Sequence, residues 1–234
     1  MTISVVIPAL NERNYIGNVL QELESQRVGI NEVIVVDGHS DDGTSEFVRT
    51  HFPGVQVVNC EVRSPGAQRS LGGMIAKGEV LLFLDADVSL DKNFISKVTT
   101  LFERRFLDIA GVRYVVKDGS FGVRFFYFFF NFLFFLSQWS HPSAGGSCIM
   151  CRKTLFDDVG GFPNDNPYDD IIFVRNAACR GRFGILPINI YVSDRRFLKY
   201  GLWYMWKRYL MLSWYFFVGD FEGAKRVDYE FGKF

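Results

Sequence analysis

Four short apolar runs constrain this chain most: ISVVIPAL (3–10), EVIVVD (32–37), VQVVNC (55–60) and EVLLFLD (79–85). They are continuous rather than alternating, as strands covered on both faces should be. The segments between them carry helical spacing. Residues 11–26 place Ile16, Val19, Leu20 and Leu23 on one stripe, with Asn11 as the expected cap. Residues 40–52 and 65–77 read the same way. Alternating strand and helix predicts a mostly parallel α/β sheet, with ligands at the carboxyl ends of its strands.

Those ends are where the polar residues fall. The first run ends at Asn11 and Glu12, the second at Asp37, and the fourth runs into Asp85 and Asp87. Any one of these reads best as a turn or cap. Three at one edge of one sheet read as a site. Dry, unpaired carboxylates are costly, so the DAD pair implies a cationic or hydroxylated partner. Neither GxxxxGK[ST] nor GxGxxG occurs, which removes the phosphate loops of ATPases and dinucleotide dehydrogenases. A haloacid-dehalogenase-type phosphatase also needs DxD, but at the end of the first strand, whereas here it ends the fourth and Ser89 holds the fifth position. Lys plus Arg equals Asp plus Glu, 26 against 26, which argues against a nucleic-acid partner. Cys148 and Cys151 form CIMC without a second pair, so they read as core residues rather than zinc ligands.

Five blocks, VVIPALNE, VIVVDGHSDDGT, GAQRSLGGMIAKGEVLLFLDAD, GGSCIMCRKTLFDDVGGFP and YDDIIFVRNAACRG, follow one another in the order and spacing of the family 2 glycosyltransferases. The chain resembles that family over most of residues 3–181. It looks most like the branch with lipid-linked acceptors, such as the dolichyl-phosphate mannosyltransferases, with a membrane-hugging C-terminus similar to cellulose synthase. The resemblance implies a GT-A fold, inversion at the anomeric carbon, a nucleotide-sugar donor and a divalent metal, Mn²⁺ or Mg²⁺. It implies that Pro8, Ala9, Asn11, Glu12 and Asp37 hold base and ribose, and that Arg69 lies near the diphosphate. Asp85, Ala86 and Asp87 complete the donor site. A hard cation bridging phosphates takes oxygen ligands, so Asp87 is the expected metal ligand, with Asp85 toward the ribose or the metal shell. Asp169 and Asp170 stand at the family's acidic pair, and one of them, by spacing Asp170, is the expected general base. Their alternative reading is an acidic pair favoured by a helix N-terminus. Gly145 and Gly146 read as a close approach to sugar or acceptor, or as a simple turn.

Aromatic residues make up 17% of the chain and crowd into two tracts, 121–139 and 200–218. A helix apolar all round is buried everywhere or lies in lipid. One crossing at the first tract would part the donor half from the acceptor half, so an in-plane or re-entrant segment is expected there. In the second tract Lys207 and Arg208 each cost about 2.5–3.5 kcal/mol at a bilayer centre, which favours shallow insertion unless protein shields them. Arg195 and Arg196 are expected to meet either lipid headgroups or a phosphate of donor or acceptor. The expected organisation is a nucleotide-sugar-binding half (1–117), a membrane-facing segment (118–142), an acceptor half (143–194) and a C-terminal membrane-associated helical region (195–234). The N-terminus enters a strand-like run without a basic or long apolar leader, so the catalytic domain is expected on the cytoplasmic face. The expected activity is transfer of a hexose, first mannose from GDP-mannose, to a polyprenyl- or dolichyl-phosphate acceptor. The alternatives are a UDP-sugar donor with a lipid-linked glycan or polysaccharide as acceptor, and a nucleotide-binding partner without catalysis.

Overall fold

The computed structural model describes residues 1–27, 29–164, 166 and 168–227; part of the expected C-terminal region, 228–234, lies outside the described residues. The elements alternate through β1 (Ile3–Ala9), α1 (Ile16–Glu24), β2 (Ile30–Asp37), α2 (Thr44–His51), β3 (Gln56–Asn59), α3 (Pro65–Ile75), β4 (Val80–Leu84), α4 (Phe94–Arg104) and β5 (Ile109–Val115). Then follow α5 (Phe121–Ser137), β6 (Cys148–Arg152), α6 (Lys153–Val159), α7 (Asp169–Ala178), β7 (Phe183–Tyr191), α8 (Arg195–Tyr200), α9 (Leu202–Val218) and α10 (Phe221–Ala224). One seven-stranded sheet runs β3-β2-β1-β4-β6-β5-β7, parallel except where β6 pairs with β4 and β5.

The continuous apolar runs are explained by the two faces of this sheet. Val5, Ile7, Leu82 and Leu84 pack under α1, α2 and α4, while Val6, Leu81 and Phe83 pack under α3, α6 and α7. Close packing of α3 depends on Gly72, where a Cβ would lie 2.4 Å from Val6 Cγ1. Cys148 and Cys151 are buried in β6, as core residues should be. The run at 55–60 behaves differently: β3 is the sheet's edge strand and is partly exposed along its length.

Two helix starts depart from the sequence expectation. Asn11 does not cap α1, which begins at Ile16 after Tyr15. Asn11 instead turns at φ 58°, its Oδ1 accepting from Asp41 N and its N donating to Ser40 Oγ, both at 2.9 Å. Its short amide tolerates the left-handed turn and serves two loops at once. Likewise residues 40–43 form a turn before α2 rather than its first turn.

The aromatic tracts become α5 and α9, and among the described residues no helix is long and apolar enough to cross a membrane. One amide within α5 explains how the helix is held: Asn131 accepts from Tyr114 N at 2.9 Å and donates to Tyr114 O at 2.7 Å. Phe126 and Phe130 face inward against Phe197, Trp206 and Tyr209. Phe121, Phe125, Phe128, Phe132 and Phe135 form an exposed stripe at helical spacing. On α9 the exposed side carries Trp203, Lys207, Leu210, Trp214 and Phe217.

Candidate active site

The carboxyl ends of β1, β2 and β4 meet at one edge of the sheet, and the N-terminus of α7 closes on them from the other half of the chain. Asp85, Asp87, Asp169 and Asp170 all line one cleft of about 200 Å³. Arg69 is its hub. The guanidinium lies in α3 with its side chain 6% exposed, Nη1 at 2.7 Å from Asp169 Oδ2 and Nη2 at 2.8 Å from Asp85 Oδ1. The Phe162 ring lies 5.7 Å away. Arg69 therefore ties the end of β4 to the start of α7.

The GGS turn before β6 completes the frame. Gly146 N donates to Asp170 Oδ2 at 2.6 Å, and Ser147 Oγ donates to Asp85 Oδ2 at 2.8 Å. A Cβ at residue 146 would lie 2.5 Å from Arg69 Nη2, so the close approach that glycine permits here is to Arg69. Gly145 O accepts from Tyr114 Oη at 2.6 Å.

Both oxygens of Asp85 are engaged, by Arg69 and by Ser147, although its side chain is 29% exposed against 20% for Asp87. Arg195 of α8 reaches Asp87 at 3.1 Å and also forks onto Glu12, at 2.7 and 3.0 Å, with its guanidinium 4.8 Å from the Tyr15 ring. This pairing links the C-terminal helices to the end of β1, and spacing along the sequence offered no sign of it. Asp37 is turned inward, accepting from Ser40 N at 3.1 Å and from Ser40 Oγ. Pro8 and Ala9 lie in β1 opposite Val36 and Asp37, and Ala86 is buried. Arg196 lines the cleft beside Arg195.

Electrostatics follow from burial and charge count. Burial pushes the Asp87, Asp170 and Glu12 carboxyls above the ordinary range, against the pull of Arg195 on Glu12 and Asp87 and of Arg69 on Asp170. Burial raises Asp169 to about 7 although Arg69 sits against it, because Asp170 and Asp85 crowd the same guanidinium. Position in the first turn of α7 does not reverse this. The dipole is a small term beside desolvation.

A divalent cation fits this donor set in one way. Among the described residues no three His, Cys, Asp or Glu side chains converge as a self-sufficient cage. Magnesium-type sites commonly use one or two carboxylates and take the remaining oxygens from substrate phosphates and water. Asp87, with Asp85 behind it, matches that pattern.

Sequence reasoning missed several cleft residues: Tyr114, Tyr127, Asn131, Ser147, Arg208 and Tyr209. Arg208 left a trace as a charge inside an aromatic tract. The tyrosines left none, since nothing local separates them from their aromatic neighbours.

Comparison with known proteins agrees with the architecture. The sequence model of the family described as glycosyl transferase family 2 matches residues 4–160. Glycosyltransferase AglE of Haloferax volcanii is 28% identical over 170 residues, which are 69% of this chain and 56% of AglE. Among solved structures, Staphylococcus aureus TarS 1–349 in complex with UDP-GlcNAc superposes with a TM-score of 0.65 at 22% identity, over 82% of this chain and 58% of that one. Mannosyltransferase PcManGT of Pyrobaculum calidifontis, in complex with GDP-Man and Mn²⁺, gives a TM-score of 0.66 at 23% identity, over 81% of this chain and 56% of that one. These likenesses establish a GT-A-like α/β fold. The chain spans little more than half the length of these three relatives.

Proposed function

The chain belongs to glycosyl transferase family 2, and from that premise we propose that it is an inverting, metal-dependent hexosyltransferase working at a membrane surface. The donor is a nucleotide sugar, with GDP-mannose the first candidate and a UDP-sugar the second. The acceptor is a polyprenyl-phosphate-type lipid. One observation carries this reading: the cleft that holds Asp85, Asp87 and Asp170 continues between the aromatic helices, where Phe126, Phe130 and Phe216 line it. A polar donor and an apolar acceptor can therefore meet the same carboxylates within one cleft.

Roles follow from the contacts. Asp87 is the ligand for the cation, which when bound offsets charge on the leaving diphosphate. Asp170, partly exposed in the cleft and oriented by Gly146 N, takes the acceptor's proton where it has one and otherwise orients the acceptor. Asp169 is a positioning residue, held by Arg69 away from solvent. Arg195 and Arg196 serve phosphate groups of donor or acceptor. The exposed stripes on α5 and α9 rest on lipid. The catalytic domain is assigned to the cytoplasmic face, a compartment in which unpaired thiols such as Cys148 and Cys151 persist.

The test is a transfer assay on purified protein in detergent with Mn²⁺, polyprenyl phosphate and labelled GDP-mannose or UDP-glucose. Label in the organic phase, abolished by EDTA, supports the proposal and names the donor. Metal-dependent donor binding without organic label from either donor would sink the acceptor assignment.

A further inference from the structure

The buried stripe of α9 reads Met205, Arg208, Leu212, Phe216, a guanidinium in the middle of an otherwise apolar face. Its neighbour Lys207 points to solvent, so the two adjacent cations of the tract have opposite environments. Arg208 lines the same cleft as Asp170, and Arg196 joins it from α8. A guanidinium set in the wall of a cleft favours oxyanions, whose planar or branched oxygens match its forked donors.

The cleft thus has a lining of unlike chemistries. At the strand ends it is crowded with carboxylates. Helices α5 and α9 contribute Phe126, Phe130 and Leu212 to its lining, together with Arg208, Asn131 and Ser213. An oxyanion head on a hydrocarbon chain matches both the aromatic part of this lining and the charge of Arg208. The Tyr127 hydroxyl, kept protonated by burial, lines the same stretch and can donate to such a head.

We propose that Arg208 is a binding residue for the acceptor, gripping the phosphate head of a polyprenyl-phosphate-type amphiphile and presenting its free oxygen toward Asp170. The inference rests on the acceptor class proposed above and adds the residue that recognises its charge. In the transfer, a phosphate oxygen of the acceptor bonds to the donor's anomeric carbon as the bond from that carbon to the diphosphate oxygen breaks. The nucleoside diphosphate departs with the bonding pair. A dianionic head brings no proton, and a monoanionic one gives its proton to Asp170. The planar guanidinium fixes the head in two directions, which a lysine ammonium would not.

The test titrates the whole chain in detergent with farnesyl phosphate, farnesoic acid and farnesol, read by tryptophan fluorescence, since Trp206 packs on Phe126 beside the cleft. The wild type is expected to bind farnesyl phosphate at least about tenfold more tightly than farnesol, the scale of one charge-assisted hydrogen-bonded contact. Arg208→Gln is expected to erase that preference, and Arg208→Lys to keep part of it. Equal wild-type affinity for farnesyl phosphate and farnesol overturns the proposal whether or not any variant folds, and equal affinity for farnesoic acid overturns the choice of phosphate over carboxylate. In the transfer assay Arg208→Gln is expected to raise the KM for the lipid phosphate. Transfer with an unshifted KM overturns this inference and leaves the proposed function standing. Arg208-dependent binding of farnesyl phosphate without transfer overturns the proposed acceptor and leaves the anion site standing.

Discussion

Arg69 Nη1 donates to Asp169 Oδ2 at 2.7 Å, joining residues 100 positions apart, and Nη2 of the same guanidinium holds Asp85. Removing one partner of a buried pair strands the other, at a cost of about 3–5 kcal/mol. Arg69→Met is therefore expected to lower the urea midpoint sharply and to abolish transfer. Adding Asp169→Leu should restore much of the stability but none of the turnover. A double-mutant cycle in urea separates the two effects; additive losses would deny the coupling.

Asp169 and Asp170 should be separable by substitution. Asp170→Asn is expected to lose about 10²–10⁴-fold in turnover, the range for a general base, while Asp169→Asn changes stability and its pH dependence more than the chemistry. Near-normal turnover in Asp170→Asn, with loss in Asp169→Asn, would reverse the assignment.

Both carboxyls are raised by burial, which fixes the signs of two pH dependences. Catalysis needs the deprotonated base, so turnover should rise with pH along a limb displaced above the ordinary aspartate range, reporting the pair as a unit. Stability moves the other way. The folded state binds protons more tightly than the unfolded chain, so stability is fully present below the unfolded aspartate value of about 3.9. It is lost as pH rises through the raised folded values, that of Asp169 lying at about 7. Urea unfolding across that interval should show Asp169→Asn with a flatter dependence than wild type.

The sheet was legible in the chain because strands covered on both faces need unbroken apolar runs, and Val5, Val6 and Ile7 serve alternate faces without a polar gap. Its carboxyl edge was legible for the same topological reason, hence Asp85 and Asp87. What stayed hidden were interactions that depend on which distant element arrives. Asn11 precedes a helical stripe as a cap would, yet its amide is claimed by Asp41 and Ser40 from the neighbouring turn. Asn131 drew no reading, and Arg208 read only as a charge inside an aromatic tract. Their purposes appear only once β5 lies beneath α5 and α9 closes over the cleft.

Arg195 occupies the region that a divalent cation would share with Asp87. Two cations contending for one carboxylate repel, so Arg195→Gln should strengthen Mn²⁺ binding in the absence of donor, by several-fold. Asp87→Asn should remove the binding altogether. Calorimetric titration of Mn²⁺ into both variants checks this, and unchanged affinity in Asp87→Asn would move the metal elsewhere.

At the outer surface, Phe128 is 67% exposed, Trp203 85% and Trp214 64%, on helices whose inner faces already pack on the fold. Their replacement should therefore leave urea stability nearly unchanged, because little folded contact is lost. Lipid contact is another matter, since fully burying a large apolar side chain is worth about 1.5–3 kcal/mol. Phe128→Ser, Trp203→Ser and Trp214→Ser combined should cut sedimentation with phospholipid vesicles by at least about tenfold, even if each residue is only partly inserted. Exposed Lys207 lies on the same side of α9, so the wild type should bind anionic vesicles better than neutral ones, with salt narrowing the difference. Vesicle binding that survives the triple substitution would mean that this aromatic face is not the membrane contact.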